Sequence, residues 1–257
     1  MIARVIEMAH ADKKASSSTL SFDSFVSTHQ GNVRSLNEDS ILSKPESGLW
    51  VVADGMGGHS AGDVASQLIV ADLEAIPHQN TLSEMVDAVD DALLKTNLKL
   101  RAHSQNHLNG VTIGSTVVCL VLREKTGAVL WVGDSRLYRF REGELEQLTR
   151  DHSEVQARID SGVLSAEQAE KSNIKNILSR AVGAFDELAI DVNAFTVQVG
   201  DLFLLCSDGL YNELDDSELQ NILQTSNLEK LPADLMRAGL SRKAKDNISL
   251  IVVKAVQ

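Results

Sequence analysis

The sequence predicts an α+β fold in which packed antiparallel sheets carry helices on their outer sides. Three observations lead to this prediction. Strand-like runs follow one another with short turns between them, the helical segments come in groups, and no single crossover helix connects each strand to the next. The 257 residues, of which 43% are hydrophobic, suffice for one domain with a large core.

Three strand signals open the domain, in the runs FDSFVSTHQG, DSILSK and GLWVVAD. Two amphipathic helices are predicted next, over residues 61–76 and 82–104, with Thr81 or Ser83 as the cap of the second. In the first helix, the predicted apolar face consists of Val64, Leu68, Ala71 and Ala75. In the second, it consists of Met85, Val89, Leu93 and Leu100.

The middle of the chain, TVVCLVLREKTGAVLWVGDSRLYRFREGELEQLT, is typical of successive antiparallel strands, with KTG and REGE as hairpin turns. Further helices and strands are predicted up to a closing strand, ISLIVVKAV. The helices are placed at 153–162, 174–182, 216–225 and 232–242, and the strands at 188–199 and 201–206. Groups of strands thus alternate with groups of helices, which is the basis of the fold prediction.

The domain organisation follows from the absence of linkers. No Pro-rich or Gly/Ser-rich tract interrupts the chain after residue 20, so we expect a tail over residues 1–20 and one domain over residues 21–257. The opening residues lack the apolar core of a signal peptide, and no run approaches the roughly 20 apolar residues of a spanning helix. We therefore expect a cytoplasmic protein that is not bound to a membrane.

The charge and the cysteines exclude two classes of function. A formal net charge of −12 argues against a nucleic-acid or anionic-membrane partner, since either requires a basic face. Cys119 and Cys206 lie within apolar runs, where a thiol packs as a small hydrophobe. A cysteine phosphatase loop would need an Arg six residues later, where Lys125 and Asn212 stand. We assign neither cysteine a catalytic role.

Four aspartates stand beside predicted strands: Asp54, Asp134 and Asp208 follow one, and Asp246 precedes the last. A single Asp-Gly after a strand is most often only a turn. Four such carboxylates, however, are costly to desolvate without partners, and few Lys or Arg residues lie in these segments. Cations would neutralise them, and an all-oxygen ligand set favours Mg²⁺ or Mn²⁺ over structural zinc.

Arg34 precedes Glu38 and Asp39 in the run GNVRSLNEDS. A guanidinium beside a cation cluster is stable only when an anion lies between them, and its forked donors match phosphate oxygens. The alternative is an ordinary salt bridge from Arg34 to Glu38 or Asp39. Metal ions combined with an arginine indicate metal-assisted phosphoryl hydrolysis.

Eight motifs occur in order between about Val26 and Val253: RSLNED, VADGMGGHSAG, GSTVV, VGDSRLY, LTRDHS, NILSRAVG, LLCSDGL and DNISLIVV. Together they resemble the motif set of bacterial PPM/PP2C-type protein phosphatases, a far more specific signal than a lone glycine-rich loop. The resemblance implies a four-layer α-β-β-α sandwich. It also implies hydrolysis of phosphoserine and phosphothreonine in proteins, by direct attack of a water that bridges two metal ions.

The resemblance also implies a ligand set for two Mn²⁺ or Mg²⁺ ions. Asp54 would bridge both ions, and the Gly55 carbonyl would bind one of them. Asp208 and Asp246 would complete the ligands of the other ion.

The remaining roles surround these ions. Glu38 and Asp39 would act through metal-bound waters, Arg34 would hold the substrate phosphate, and Asp134 with Asp208 would hold a weaker third ion. The predicted catalytic residues are Arg34, Asp39 and Asp54.

Two further features are carried over from the family. Residues 154–172 fall where it has a mobile flap, although a plain helical hairpin fits the letters equally well. Phosphorylated proteins are the implied substrates and a cognate Ser/Thr kinase the implied partner, with signalling or secretion-system regulation as the setting.

The proton donor is a point of departure from the family. Met56 stands where eukaryotic members carry a histidine proposed as general acid. His59 and His152 lie nearby in the motif order, and a hydrogen-bonded scaffold role competes with acid catalysis for each. We expect no histidine of the DGMGGH loop to be an obligatory general acid.

Three other interpretations are weaker. A serine hydrolase built on Gly133, Asp134 and Ser135 would need His152 as its base and has no Gly-x-Ser-x-Gly elbow. A nucleotide-binding loop at residues 55–62 lacks the Lys-Ser/Thr that should follow the glycines. A pseudophosphatase that only binds partners should lack a metal ligand, yet the predicted aspartates are all present.

Overall fold

The computed structural model describes residues 20–57, 62–165, 168–169, 174 and 177–257. Within these residues, eleven strands and six α-helices form four layers in the order helix, sheet, sheet, helix. The predicted α-β-β-α sandwich is confirmed.

The first sheet contains both terminal strands of the domain. Its members are β1 (Ser21–His29), β7 (Arg136–Arg141), β8 (Glu144–Gln147), β10 (Leu202–Cys206) and β11 (Ile248–Val256). They lie in the order β1-β11-β10-β7-β8, and every pairing is antiparallel. The central strands β10 and β11 come from the last quarter of the chain, so this sheet is completed by the closing strand.

The second sheet is built from the first half of the domain and one later strand. Its members are β2 (Asp39–Lys44), β3 (Leu49–Gly57), β4 (Ile113–Ser115), β5 (Val117–Arg123), β6 (Thr126–Val132) and β9 (Asp191–Thr196). The order is β2-β3-β5-β6-β9, and β4 pairs with the far end of β3. A short 3₁₀ helix, Pro45–Ser47, connects β2 to β3.

Both faces of the central strands are buried, which explains their continuous apolar runs. In β3, Trp50 and Val52 point to the other sheet and pack with residues such as Phe203 and Ile251. The alternate residues of β3, Val51 among them, face the helices. The two sheets therefore share one core, and each has a second core beneath its helices.

Two long helices cover the second sheet: α1 (Gly62–Glu74) and α2 (Leu82–His107). Thr81 caps α2, and its side chain forms a reciprocal capping box with Glu84. The predicted buried face of α2 is confirmed, since Met85, Val89, Leu93 and Leu100 are fully buried.

The predicted face of α1 was wrong by about one position. Val64 is 39% exposed, whereas Ala65, Ile69 and Leu73 are fully buried. The chain offers two apolar sets at helical spacing, and the set with Ile69 and Leu73 gives the larger apolar area to the core.

Shorter helices complete the fold: α3 (Glu154–Asp160), α4 (Asp208–Tyr211), α5 (Asp216–Thr225) and α6 (Leu231–Leu240). Helices α5 and α6 cover the first sheet through Leu219 and Leu235.

The predicted helix at 174–182 is wrong for residues 177–182. There, Leu178 forms a β-bridge with Ser153, and Val182 forms one with Ser115. Their backbone hydrogen bonds go to neighbouring segments, which leaves none for a helix.

The domain boundaries stay predictions, because residues 1–19 and part of the predicted flap lie outside the described residues. Leu20 is buried in the core between the sheets. Helix α3 occupies the first part of the 154–172 segment. None of the helices in the described part of the chain is both long and apolar enough to span a membrane.

Candidate active site

Asp39 and Asp54 face each other across β2 and β3, at the same level of the pairing. The Ser207 hydroxyl donates to Asp39 Oδ2 over 2.9 Å. Asp39 Oδ1 is buried and has no hydrogen-bond partner among the described residues. Burial raises the pKa of Asp39 to about 7, although hydrogen bonds from Ser249 and Ser207 oppose the shift. Asp39 is thus a buried acid with spare capacity to bind a cation.

Asp54 lies at the centre of a group of aspartates. Burial raises the pKa of Asp54 well above its usual value, and the charges of the other four add to the shift. In decreasing order of effect these are Asp39, Asp208, Asp134 and Asp246. The structure therefore brings together all five carboxylates, of which the first and last are more than two hundred residues apart in the sequence.

Two glycines allow β3 and α1 to approach closely beside Glu38. A Cβ on Gly55 would lie 2.1 Å from the Gly62 carbonyl oxygen, so a side chain is excluded there. Glu38 Oε1 accepts a hydrogen bond from the Gly62 amide over 3.2 Å. A Cβ on Gly62 would meet both Glu38 Oε1 and the Gly55 carbonyl oxygen at 2.8 Å. The two oxygens thus lie near each other where β3 meets the start of α1.

Asp208 follows a strand of the first sheet, and Asp134 follows a strand of the second sheet. Asp208 is the first residue of α4, and Asn212 donates to its Oδ2 over 3.0 Å. Asp134 follows β6, and only 8% of its surface is exposed. Burial, followed by the charges of Asp208 and Asp151, raises the pKa of Asp134 to about 8. This pair repels in the absence of a cation.

Arg34 forms an ion pair with Asp246, at 2.9 Å between Nη2 and Oδ2. The salt bridge to Glu38 or Asp39 that we considered as an alternative is therefore wrong in its partner. About half of the Arg34 side chain is exposed, so its remaining donors face outwards and are open to an anion.

Asn247 explains why Arg34 meets Asp246. Its side-chain amide donates to the carbonyls of Gln30 and Leu36, and its Oδ1 accepts the Glu38 amide over 2.8 Å. The residue after Asp246 thus fixes the whole loop from 30 to 38 on the start of β11.

These residues fit divalent cations. Asp39, Asp54 and Asp134 have raised pKa values, the donors are all oxygens, and the ion pair of Arg34 within the described ranges is with Asp246. Within the ranges that the structure describes, no three Asp, Glu, His or Cys side chains already stand close enough to hold an ion unaided. An ion would therefore also need oxygens such as the Gly55 carbonyl, or small side-chain shifts, to complete its ligands.

The geometry does not support the serine hydrolase. His152 Nδ1 accepts the Gly133 amide over 3.1 Å, and its Nε2 lies 3.1 Å from Asp191 Oδ2. Ser135 is buried, and its hydroxyl pairs with Thr116 Oγ1 at 2.6 Å. His152 is accordingly a scaffold residue that holds the loop before Asp134. His59, the other histidine considered, lies outside the described residues.

The cysteines are inert in this structure. Both are fully buried, and burial raises the pKa of Cys206 to about 12, so the thiol stays protonated.

A groove of about 720 Å³ opens from Asp134 and Asp208 towards the surface. Val155 and Ile159 of α3 line it, together with Asp216 at the start of α5. The groove therefore reaches Asp134 and Asp208, whereas Arg34, Asp39, Asp54 and Asp246 are not among its lining residues.

Several supporting residues were not predicted from the sequence. Ser207 precedes Asp208 and Asn247 follows Asp246 within their motifs, and this adjacency was a usable signal, whereas Thr116 lies in the motif GSTVV, which contains no predicted site residue. Thr116 Oγ1 accepts the Asp54 amide over 3.2 Å. For Tyr211, the sequence gives no indication of a supporting role other than its position one helical turn after Asp208.

The four-layer sandwich, with an arginine and five aspartates gathered at one end of its sheets, defines the class of metal-dependent phosphoester hydrolases. Residues 28–247 match the family described as Protein phosphatase 2C. The chain belongs to that family.

Individual relatives agree with this assignment. The chain is 35% identical over 237 residues to the serine/threonine phosphatase stp of Listeria monocytogenes, covering 88% of this chain and 93% of that protein. It is 44% identical to PppA, a regulatory component of T6SS in Pseudomonas aeruginosa, with a TM-score of 0.85 and coverage of 91% and 98%. The catalytic domain of PstP, solved with two manganese ions, is 30% identical, with a TM-score of 0.82 and coverage of 93% and 100%.

These similarities, together with the complete set of predicted aspartates, show a metal-dependent serine/threonine protein phosphatase. A binding module without activity is not favoured.

Proposed function

We propose that this phosphatase releases phosphate from phosphoserine and phosphothreonine at the point where Asp39, Asp54 and Asp208 meet. The observation that carries the proposal is the position of Asp54, which lies opposite Asp39 in the β2–β3 pairing and near enough to four other aspartates for their charges to raise its pKa. Two divalent cations, Mn²⁺ or Mg²⁺, would when bound activate a water for attack on phosphorus and neutralise the phosphoryl charge. The two manganese ions of the PstP domain support this choice.

The proposed ligand roles follow the positions of the side chains. Asp54 would hold both cations, a role supported by the four other aspartates whose charges act on it. The Gly55 carbonyl would hold one cation, and Asp208 and Asp246 would hold the other. Asp246, which now pairs with Arg34, would then share its carboxylate with a cation.

The outer residues act on water and on the phosphate. Glu38 and Asp39 orient waters, because Asp39 Oδ1 is a buried acceptor with no partner in the described part of the chain. Asp134 and Asp208 would hold a weaker third cation. Arg34 binds the phosphate oxygens with its outward donors.

Purified protein tests the proposal directly. With Mn²⁺ present, we expect phosphate release from both phosphoserine and phosphothreonine peptides. The absence of release from either peptide, with Mn²⁺ or with Mg²⁺, would overturn it.

Replacing Arg34 with alanine should raise KM and lower kcat. We expect kcat/KM to fall about 10- to 100-fold, since a hydrogen bond to a charged group contributes roughly 1.5–3 kcal/mol. Steady-state kinetics on a phosphopeptide measures both constants. Arg34→Lys is the matched control, because it keeps the charge and loses the forked donors, and it should recover only part of the loss. Unchanged kinetics in Arg34→Ala would mean that Arg34 serves only its ion pair with Asp246.

The wider setting is also part of the proposal. We infer that phosphorylated protein segments enter through the groove beside Asp134, and that a cognate Ser/Thr kinase in the cytoplasm produces them. The similarity to PppA supports a role in regulating a secretion system. We further propose one domain over residues 21–257, a tail over residues 1–20, and a flap over residues 154–172 that borders the groove.

A further inference from the structure

Two tyrosines contact Arg136, one at the edge of the guanidinium and one over its face. Arg136 Nη1 donates to the Tyr138 hydroxyl over 2.8 Å, and the guanidinium carbon lies 3.6 Å from the centre of the Tyr211 ring. Asp151 holds the other edge of the guanidinium with two bonds, of 3.0 Å from Nε and 2.7 Å from Nη2. Arg136 is therefore a fixed platform beneath the Tyr211 ring.

Only Tyr211 reaches the aspartates. Its hydroxyl donates to the backbone carbonyl of Asp134 over 3.0 Å. Tyr211 ends the single turn of α4 that begins with Asp208, so this hydrogen bond connects the segment of one aspartate to the segment of the other. Burial raises the pKa of Tyr211 well above its usual value, and the hydroxyl remains a donor at neutral pH.

The Asp134 segment needs such a connection. Gly133 has a φ of 103°, a left-handed conformation, and the segment contains no regular secondary structure. His152 holds Gly133, and Ser135 is held by Thr116. These contacts fix the segment to the second sheet and to the loop of His152. Among the described contacts, the Tyr211 hydroxyl fixes Asp134 itself to the helix that carries Asp208.

We propose that Tyr211 is a positioning residue for the third cation, because its hydroxyl sets the Asp134 backbone at a fixed place relative to Asp208. The inference rests on the proposed function, in which Asp134 and Asp208 share that cation. Loss of the hydroxyl leaves both carboxylates present but lets their separation vary, so the affinity for the third ion falls. The two core ions keep Asp54, Gly55 and Asp246 and are much less affected.

The test is Tyr211→Phe, which keeps the ring on Arg136 and removes only the hydroxyl. Mn²⁺ binding is measured by isothermal titration calorimetry, and the Mn²⁺ concentration for half-maximal phosphopeptide hydrolysis is measured in parallel. We expect the dissociation constant of the weak site to rise about 2- to 10-fold, the loss expected for one hydrogen bond, with the tight sites unchanged. An unchanged weak site would overturn the inference.

Tyr138→Phe is the matched control, since its hydroxyl contacts Arg136 and not Asp134. The weak site should keep its wild-type affinity in this variant. An equal loss in both variants would show that the effect acts through Arg136, which would overturn the role of Tyr211. Circular dichroism melting curves show whether each variant remains folded at the assay temperature.

Asp134→Asn separates this inference from the function on which it rests. In that variant the weak site should disappear. If the wild type hydrolyses phosphopeptides but binds only two ions, the inference about Tyr211 fails and the phosphatase function stands. If the wild type neither binds ions tightly nor releases phosphate, the proposed function itself fails.

Discussion

Replacing Asp54 with alanine is expected to lower phosphate release by about 10³-fold or more, a change of at least ~4 kcal/mol in the barrier. The variant loses the carboxylate that is proposed to bridge both cations. The sandwich should nevertheless stay folded. Asp54 is desolvated and surrounded by other aspartates, so its carboxyl does not stabilise the metal-free fold, and the metal-free variant should be at least as stable as the wild type.

The measurements are initial rates on a phosphoserine peptide and thermal melting of the metal-free protein. Asp208→Asn should give a similar loss of rate, since it keeps the size of the side chain and removes its charge. Asp91→Ala is the control: Asp91 is exposed on α2, where its nearest cation is Lys95 at 4.0 Å. Wild-type turnover in Asp54→Ala would place the catalytic centre elsewhere.

Removing divalent cations should abolish activity, and adding Mn²⁺ or Mg²⁺ should restore it. The same treatment should lower the thermal stability of the protein, because ligands that bind only the folded state stabilise it. Full activity in the presence of a chelator would contradict the two-metal proposal.

The stability effect should depend on pH with a definite sign. The pKa values of Asp39 and Asp134, about 7 and about 8, lie above those of unfolded aspartates. From about pH 4 to pH 8 the folded, metal-free protein therefore holds protons that the unfolded chain has released, and the contribution of these groups to stability falls as the pH rises. Cations displace those protons, so stabilisation by Mn²⁺ should be larger at about pH 8 than at about pH 6. Equal stabilisation at both pH values would mean that these carboxyl groups do not bind the ions.

Much of the fold was accessible from the sequence because local patterns decide it. The run LWVVADG predicts both a strand buried on two faces and an aspartate at the end of that strand. The capping box at Thr81 fixes the start of α2. Where two local patterns predict different structures for the same residues, the sequence alone does not show which one forms. The face of α1 and the bridged segment 177–182 were both decided by contacts with distant strands.

The candidate site, too, was predictable from the sequence only in part. The types of residue needed for cation and phosphate binding could be read from the motifs. Their mutual arrangement could not, because the Asp39–Asp54 pairing depends on the β2–β3 register, and the Arg34–Asp246 pair joins residues more than two hundred positions apart. Neutral supporting groups such as the Tyr211 hydroxyl carry no charge pattern that would reveal them.

The pairing of β1 with β11 has a consequence for folding kinetics. Ser21 lies opposite Val256, and His29 lies opposite Ile248. The edge strand β1 therefore joins the first sheet only through the closing strand, β11. The loop that carries Arg34 is fixed by Asn247, at the start of that same closing strand. Contacts of such large sequence separation form late, because their loop-closure entropy is the greatest. The placement of Arg34 thus depends on the closing strand, and we expect phosphatase activity to require that strand to be in place.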